Sequence, residues 1–197
     1  MDTRDVSSAA TRHRILEATR QSLAVGRNPD LGLNAIARAA GVSRVTIYTQ
    51  FGSRSGLLEA LYDHLAVRGN VRRGKEALLE QKPDVALAGF IRAFVGFWSS
   101  ETVAIRRLHA MAALDVEIAK GLAARESRRR RAAVQIVRRW TPTMKRREHQ
   151  WTDRFLADTL CVLVSFETYD ALAKAGNGDK DIIVMMTHLA RAVLGAK

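Results

Sequence analysis

Apolar residues recur along the chain at intervals of three and four, and no stretch alternates apolar and polar positions with the Val, Ile and Thr content of a strand. That spacing puts an apolar stripe on each of a series of helices. Prolines and glycines mark the ends: Pro29 with Gly32, Gly41, Gly52, Gly69 with Gly74, Pro83, Pro142, then Gly176 with Gly178. The pattern predicts an all-α chain of about nine helices. Four short ones are expected within residues 8–68, followed by longer amphipathic helices near 83–99, 101–113, 115–140, 148–175 and 179–195. The size contrast divides the chain into an N-terminal domain, 1–64, and a larger helical domain, 65–197, with the junction inside Arg68 to Lys82.

Composition agrees, with 30 alanines, 3 prolines and 6% aromatic residues favouring helix. An apolar share of 47% beside 26% charged residues is that of a globular protein. Thirty-two Lys and Arg against 20 Asp and Glu leave a net charge of +12, which points to a polyanionic partner, nucleic acid or an anionic membrane surface. Cys161 is the single cysteine, so no intramolecular disulfide forms and a reducing compartment fits. The polar start MDTRDVSSAATRHR lacks the apolar centre of a signal peptide, and no apolar run approaches the roughly 18 residues of a membrane span. A cytoplasmic protein with no membrane association is expected.

Residues 31–62, LGLNAIARAAGVSRVTIYTQFGSRSGLLEALY, sharpen the choice of partner. Ile36, Ala37 and Ala40 form the apolar face of one helix, Gly41 permits a positive φ at its end, and Val42 fills the angle. Ser43 caps a second helix whose inner face is Ile47 and Phe51. The opposite face, with Arg44, Val45, Thr46, Tyr48, Thr49 and Gln50, is left free to enter a major groove.

Ile-Ala, Ala-Gly-Val-Ser, Thr-Ile-Tyr, Phe, Ser-Arg and Leu-Leu follow one another here at the spacing of the DNA-binding domain of the TetR family of one-component bacterial repressors, which the segment resembles. Arg14, Ile15, Leu16 and Ala18 resemble the first helix of that family, and the likeness covers about 55 residues. Gly32 stands where the family usually has a capping Ser or Thr, so Asp30 or water is expected to substitute as the cap. Val45 replaces a frequent Gly and offers an apolar contact to a thymine methyl. Arg54 replaces the usual Lys, and Gly56 replaces a larger residue at the cost of helix propensity only. By position, the resemblance assigns Thr46, Tyr48, Gln50 and Arg54 to phosphate anchoring and Asn34, Arg44, Val45 and Thr49 to base edges. Arg44 has the fork for guanine O6 and N7, and Asn34 the amide for adenine.

The resemblance also implies a C-terminal effector pocket and a dimer interface, and hence a homodimeric repressor released from a palindromic operator by a small effector. Helix 148–175 is apolar over most of its circumference, and the last helix repeats the pattern. Both are expected to pair with their symmetry mates in a four-helix interface that includes Phe155, Leu163, Phe166, Ile183, Met186, Leu189, Ala190 and Val193. The aromatic face Phe90, Phe94, Phe97 and Trp98, with His109, Met111, Leu114, Phe166 and Tyr169, offers the lining of a pocket for a planar hydrophobic effector. Ordinary core packing is the competing reading of the same residues, and with it a regulator that answers to no ligand.

No cofactor, metal or catalytic constellation is expected. Gly69, Gly74 and Lys75 approach a phosphate loop, but Glu76 stands where a hydroxyl should bind magnesium. Histidines 13, 64, 109, 149 and 188 have no metal spacing, and Glu148 points away from its neighbour His149. Cys161, set among Leu160, Val162 and Leu163, reads as a buried inert thiol. Residues 100–150 hold 13 basic and 5 acidic groups, so most of the charge surplus lies outside the helix-turn-helix. Arg128 to Arg131 fan around a helix in steps of about 100°, and Glu126 has the spacing to pair with Arg130. A solvated surface, capture of an acidic ligand and contact with DNA backbone are the three readings of that run.

Overall fold

The computed structural model describes residues 3–25, 30–69, 71, 76, 79–140 and 151–194, with side chains from Val6 onward. Expectations placed on Pro29, Gly74, Lys75, Pro142, Glu148, His149, the first residues of 148–175 and the end of 179–195 lie outside them. The described residues form ten helices and no strand: α1 (Thr3–Ala24), α2 (Leu33–Ala40), α3 (Arg44–Phe51), α4 (Arg54–Arg68), α5 (Pro83–Ser100), α6 (Thr102–Ala112), α7 (Val116–Trp140), α8 (Asp153–Leu163), α9 (Phe166–Lys174) and α10 (Asp179–Val193). No helix among them is long and apolar enough to cross a membrane.

Two helices differ from the expectation. The first is not short: no Gly or Pro interrupts residues 3–25, and the helix runs for 22 residues. The expected helix 148–175 is broken at Val164 and Ser165. The carbonyl of Val164 accepts the buried Trp98 indole N–H at 3.0 Å, and the Ser165 hydroxyl accepts the Thr168 amide at 3.2 Å, which caps α9. A hydrogen bond from a residue 66 positions away decides this break, so apolar periodicity does not reveal it.

The chain forms two compact units: residues 1–65 with 103–123, and residues 66–102 with 124–197. The first therefore takes in α6 and the start of α7 as well as the N-terminal helices. Its core contains Ile15, Leu23, Ile36, Ile47, Leu57, Leu58, Leu61 and Leu65, together with Ile105, Leu108 and Ile118. Arg107 donates to the carbonyl of Leu23, and the Tyr62 hydroxyl donates to the carbonyl of Ile118 at 3.0 Å, tying α6 to the end of α1 and α7 to α4.

In the second unit α10 packs along α5 and also touches α8 and α9. The core here is Leu87, Phe90, Ile91, Val95, Trp98, Ile136, Val137, Leu156, Leu160, Phe166, Ile182, Met186 and Ala190. Phe94, Phe97 and Phe166 each set a ring 4.6–5.9 Å from that of Trp98, and Phe90 stacks edge-on to Phe94. Arg130 pairs with Asp158 of α8, not with Glu126.

Candidate nucleic-acid interface

The helix-turn-helix is built by a short list of local interactions. Gly41 at the end of α2 has φ of 63°, and its amide and that of Val42 close on the carbonyls of Arg38 and Ala37. A side chain at that φ is strained, so glycine sets the turn. The Ser43 hydroxyl accepts the Thr46 amide at 3.0 Å and caps α3. Ile47, 1% exposed, is the anchor of α3 in the core. Phe51, expected beside it, is only half-buried and is covered by Arg12, whose guanidinium lies 4.3 Å from the ring centroid and donates to the carbonyl of Gln50 at 2.5 Å.

Anchoring at Ile47 turns Arg44, Val45, Tyr48 and Thr49 to solvent on one face, and Asn34 is exposed at the start of α2. Arg44 Nη2 donates to the Tyr48 hydroxyl oxygen at 3.1 Å, with its guanidinium 5.5 Å from the ring centroid. The phenol hydrogen stays available to donate to a phosphate while Arg44 is held along the helix face. Thr46 is half-buried and shares a 2.9 Å hydrogen bond with Ser43, and Thr49 donates to the carbonyl of Val45. Gln50 is half-buried, its amide donating to the Ser8 hydroxyl of α1 at 3.0 Å.

Arg54 does not join this face. Its guanidinium donates to Asp115 at 2.5 Å and to Glu117, and its Nε to the carbonyl of Leu31. Ser55 donates to the same Glu117 at 2.5 Å, and Asp115 also accepts the amides of Glu117 and Ile118 as the cap of α7. The sequence gives Arg54 to a phosphate; in the structure its guanidinium is paired with two carboxylates more than 60 residues away, Asp115 at the start of α7 and Glu117 in its first turn. Gly56 is also more than a loss of helix propensity. A Cβ there would lie 2.1 Å from the carbonyl oxygen of Phe51, so only glycine lets α4 start so close behind α3. Asp30 accepts the Gly32 amide at 2.7 Å but does not cap α2, which has no side-chain cap.

The Arg54 cluster sets a pH dependence. Hydrogen bonding from Arg54 holds the Asp115 carboxyl below its ordinary range, and hydrogen bonds from Ser55 and Arg54 do the same for Glu117. A depressed folded pKa contributes stability that is present above the ordinary carboxylate range and lost as pH falls through the folded values. The three side chains are a quarter to a third exposed, so solvent weakens the pairs. Arg54→Ala is expected to lower stability by about 1–2 kcal/mol near pH 7. The difference from wild type should shrink towards zero below about pH 4. Urea denaturation across that range measures it, and a pH-independent difference contradicts the assignment.

The residues expected to line an effector pocket are divided. Phe90, Phe94, Phe97, Trp98, Phe166 and Tyr169 belong to the second unit, and the Tyr169 hydroxyl donates to Asp179 at 3.1 Å. His109 and Met111 sit half-buried on α6 in the first unit, and Leu114 beyond them is exposed. The expected interface residues divide as well. Phe166, Met186 and Ala190 are buried in the core of the protomer. Phe155 and Leu189 are exposed, and Leu163, Ile183 and Val193 are half-buried. Burial pushes the Cys161 thiol up, against the pull of Arg129 and Arg130, as befits an unreactive protonated thiol.

A capped eight-residue helix with a polar outer face, set behind a glycine turn at the head of an all-α chain, is the helix-turn-helix class of DNA-reading domain. Residues 15–61 match the family model for bacterial regulatory proteins, tetR family. The HTH-type transcriptional regulator AlkX of Mycobacterium tuberculosis (strain ATCC 25618 / H37Rv) is 34% identical over 114 residues, which cover 57% of this chain and 54% of AlkX. The chain thus spans about half the length of this curated relative. A solved protein from Rhodococcus sp., assigned to the TetR-family transcriptional regulators, superposes with a TM-score of 0.72 at 18% identity over 94% of this chain and 99% of its own. Another so assigned, from Syntrophomonas wolfei str. Goettingen, superposes with a TM-score of 0.74 at 13% identity over 95% and 96%. Residues 15–61 are a domain of the TetR family, and the chain as a whole has the all-α fold of that family's regulators.

Proposed function

We propose that the chain is a DNA-binding regulator of transcription, a homodimer that occupies a palindromic operator through two copies of α3 and is released when a small hydrophobic effector enters the helical domain. The exposed face of α3, with Arg44 and Tyr48 joined above a buried Ile47, carries the reading. Arg44 reads guanine, Val45 meets a thymine methyl, and Tyr48 and Thr46 hold phosphate. The dimer reading is supported by apolar side chains left exposed on α8 and α10: Phe155, Val162, Val184 and Leu189. Trp151, stacked on Phe155 with centroids 4.3 Å apart, extends the α8 patch. The DNA upstream of the gene, footprinted with the purified full chain, is expected to show a protected inverted repeat, and light scattering to give twice the chain mass. A monomer that protects no repeat contradicts the proposal.

A second reading, a DNA-binding regulator that answers to no ligand, is favoured by the ring-on-ring packing of Phe90, Phe94, Trp98 and Phe166, which is also that of an ordinary core. Operator binding that no small molecule reverses would select it.

A further inference from the structure

Neither the helix-turn-helix nor the surface absorbs one member of the arginine run. Arg128 and Arg131 are exposed and Arg130 pairs with Asp158, but the Arg129 side chain turns inward and is 12% exposed. Its Nε is shut off from solvent and has no hydrogen-bond partner among the described residues. The carboxylate that pairs with it, Glu126, stands 3.9 Å away and is itself 69% exposed. On the other side the guanidinium faces the Trp98 ring at 5.8 Å, and that ring packs on Phe94, Phe97 and Phe166. Its field reaches Cys161 of α8, where it opposes the effect of burial on the thiol.

A cation withdrawn from water needs a close anion or a full set of acceptors. A ring quadrupole and one distant, hydrated carboxylate give less than that. The cluster therefore has a charge to be matched, and aromatic surface beside it. We propose that Arg129 is the acid-recognition residue of the effector site: its guanidinium takes the carboxylate of a small organic acid whose apolar body lies against the rings around Trp98. The fork of Arg129 meets a carboxylate with two parallel hydrogen bonds, one of them from the Nε that lacks a partner. This rests on the reading of the helical domain as effector-binding and names the effector's class, an amphipathic acid in place of a merely hydrophobic molecule. Arg128 and Arg131 stay in solvent and take no part.

Calorimetric titration of the full chain with two acids and their neutral amides, 2-naphthoate with 2-naphthamide and decanoate with decanamide, tests this. At least one acid is expected to bind about tenfold or more tightly than its amide, as a charge-assisted pair requires. Arg129→Met should erase that preference, and Arg130→Met, which loses only its pair with Asp158, should keep it. Without ligand, Arg129→Met should melt no lower than wild type, since the cation it removes is poorly matched. An acid and amide that bind equally overturn the acid recognition and leave a hydrophobic effector standing. A preference that survives in Arg129→Met, or a ligand-free Arg129→Met that melts well below wild type, overturns the role of Arg129. Binding of none of the four compounds overturns the inference and counts against the effector reading with it.

Discussion

Replacing Arg44 and Tyr48 together by alanine is expected to weaken operator binding by about 100-fold or more while leaving the fold intact. A bidentate arginine to guanine discriminates by about 1–3 kcal/mol, and a palindrome read by a dimer counts it twice, or about 2–6 kcal/mol. Loss of the Tyr48 phosphate contact adds to this without adding specificity. Stability should barely change: the two side chains project from the outer face of α3 and bond to each other, while Ile47 alone carries that helix into the core. Exposed substitutions of this kind cost within about 0.5 kcal/mol. Band shifts on the footprinted operator at fixed salt, beside a thermal melt by circular dichroism, separate the two effects. Retained operator affinity would overturn the assigned face. The pair chosen matters, because Arg54, the other basic candidate in the motif, is committed to Asp115 and Glu117.

Trp98→Ala is expected to lower stability by about 3–5 kcal/mol, a cost usual for emptying a large aromatic site in a core. Trp98 touches Phe94, Phe97 and Phe166 and also holds the carbonyl of Val164 where α8 gives way to α9. Trp98→Phe keeps most of the ring and removes the donor, leaving a buried carbonyl unmatched at a cost of about 1–3 kcal/mol. Urea denaturation of the three proteins gives both values. If phenylalanine costs nothing, the indole hydrogen bond does not hold the break, and the Ser165 cap alone must account for it.

The helix-turn-helix was legible because its determinants are local. Gly41, Ser43 and Ile47 lie within seven residues, and the glycine turn and the serine cap close on neighbours three to five positions away. The outward face of α3 follows from which residue is buried, and Ile47 is buried as the spacing requires. Phe51 was misjudged because Arg12 of α1, 39 positions earlier, covers a ring that helical spacing alone assigns to the core. The partners of Arg54 are illegible for the same reason: motif position gives it to phosphate, while two carboxylates of opposite charge stand over 60 residues downstream. Nothing near Arg54 in the sequence signals them.

The apolar residues of the last helices are a different case. Periodicity identifies an apolar stripe but not what covers it, so Phe166, Met186 and Ala190 looked as ready for a partner as Phe155 and Leu189. Packing of α9 and of α10 on α5 buries Phe166, Met186 and Ala190.

By itself the sequence determined the all-α class, the positions of most helix ends, the DNA-reading motif and the face of α3, since caps, turns and amphipathic stripes depend on residues within a turn or two of each other. Tertiary structure decided whether each charged or aromatic side chain would meet solvent, an ion or another ring: Arg54 on its carboxylates, Trp98 on the carbonyl that splits α8 from α9, and Arg129 turned inward from a run that looked uniform. Those outcomes depend on charge and hydrogen-bond partners brought together from distant parts of the chain, and a buried polar group is governed by what it meets there.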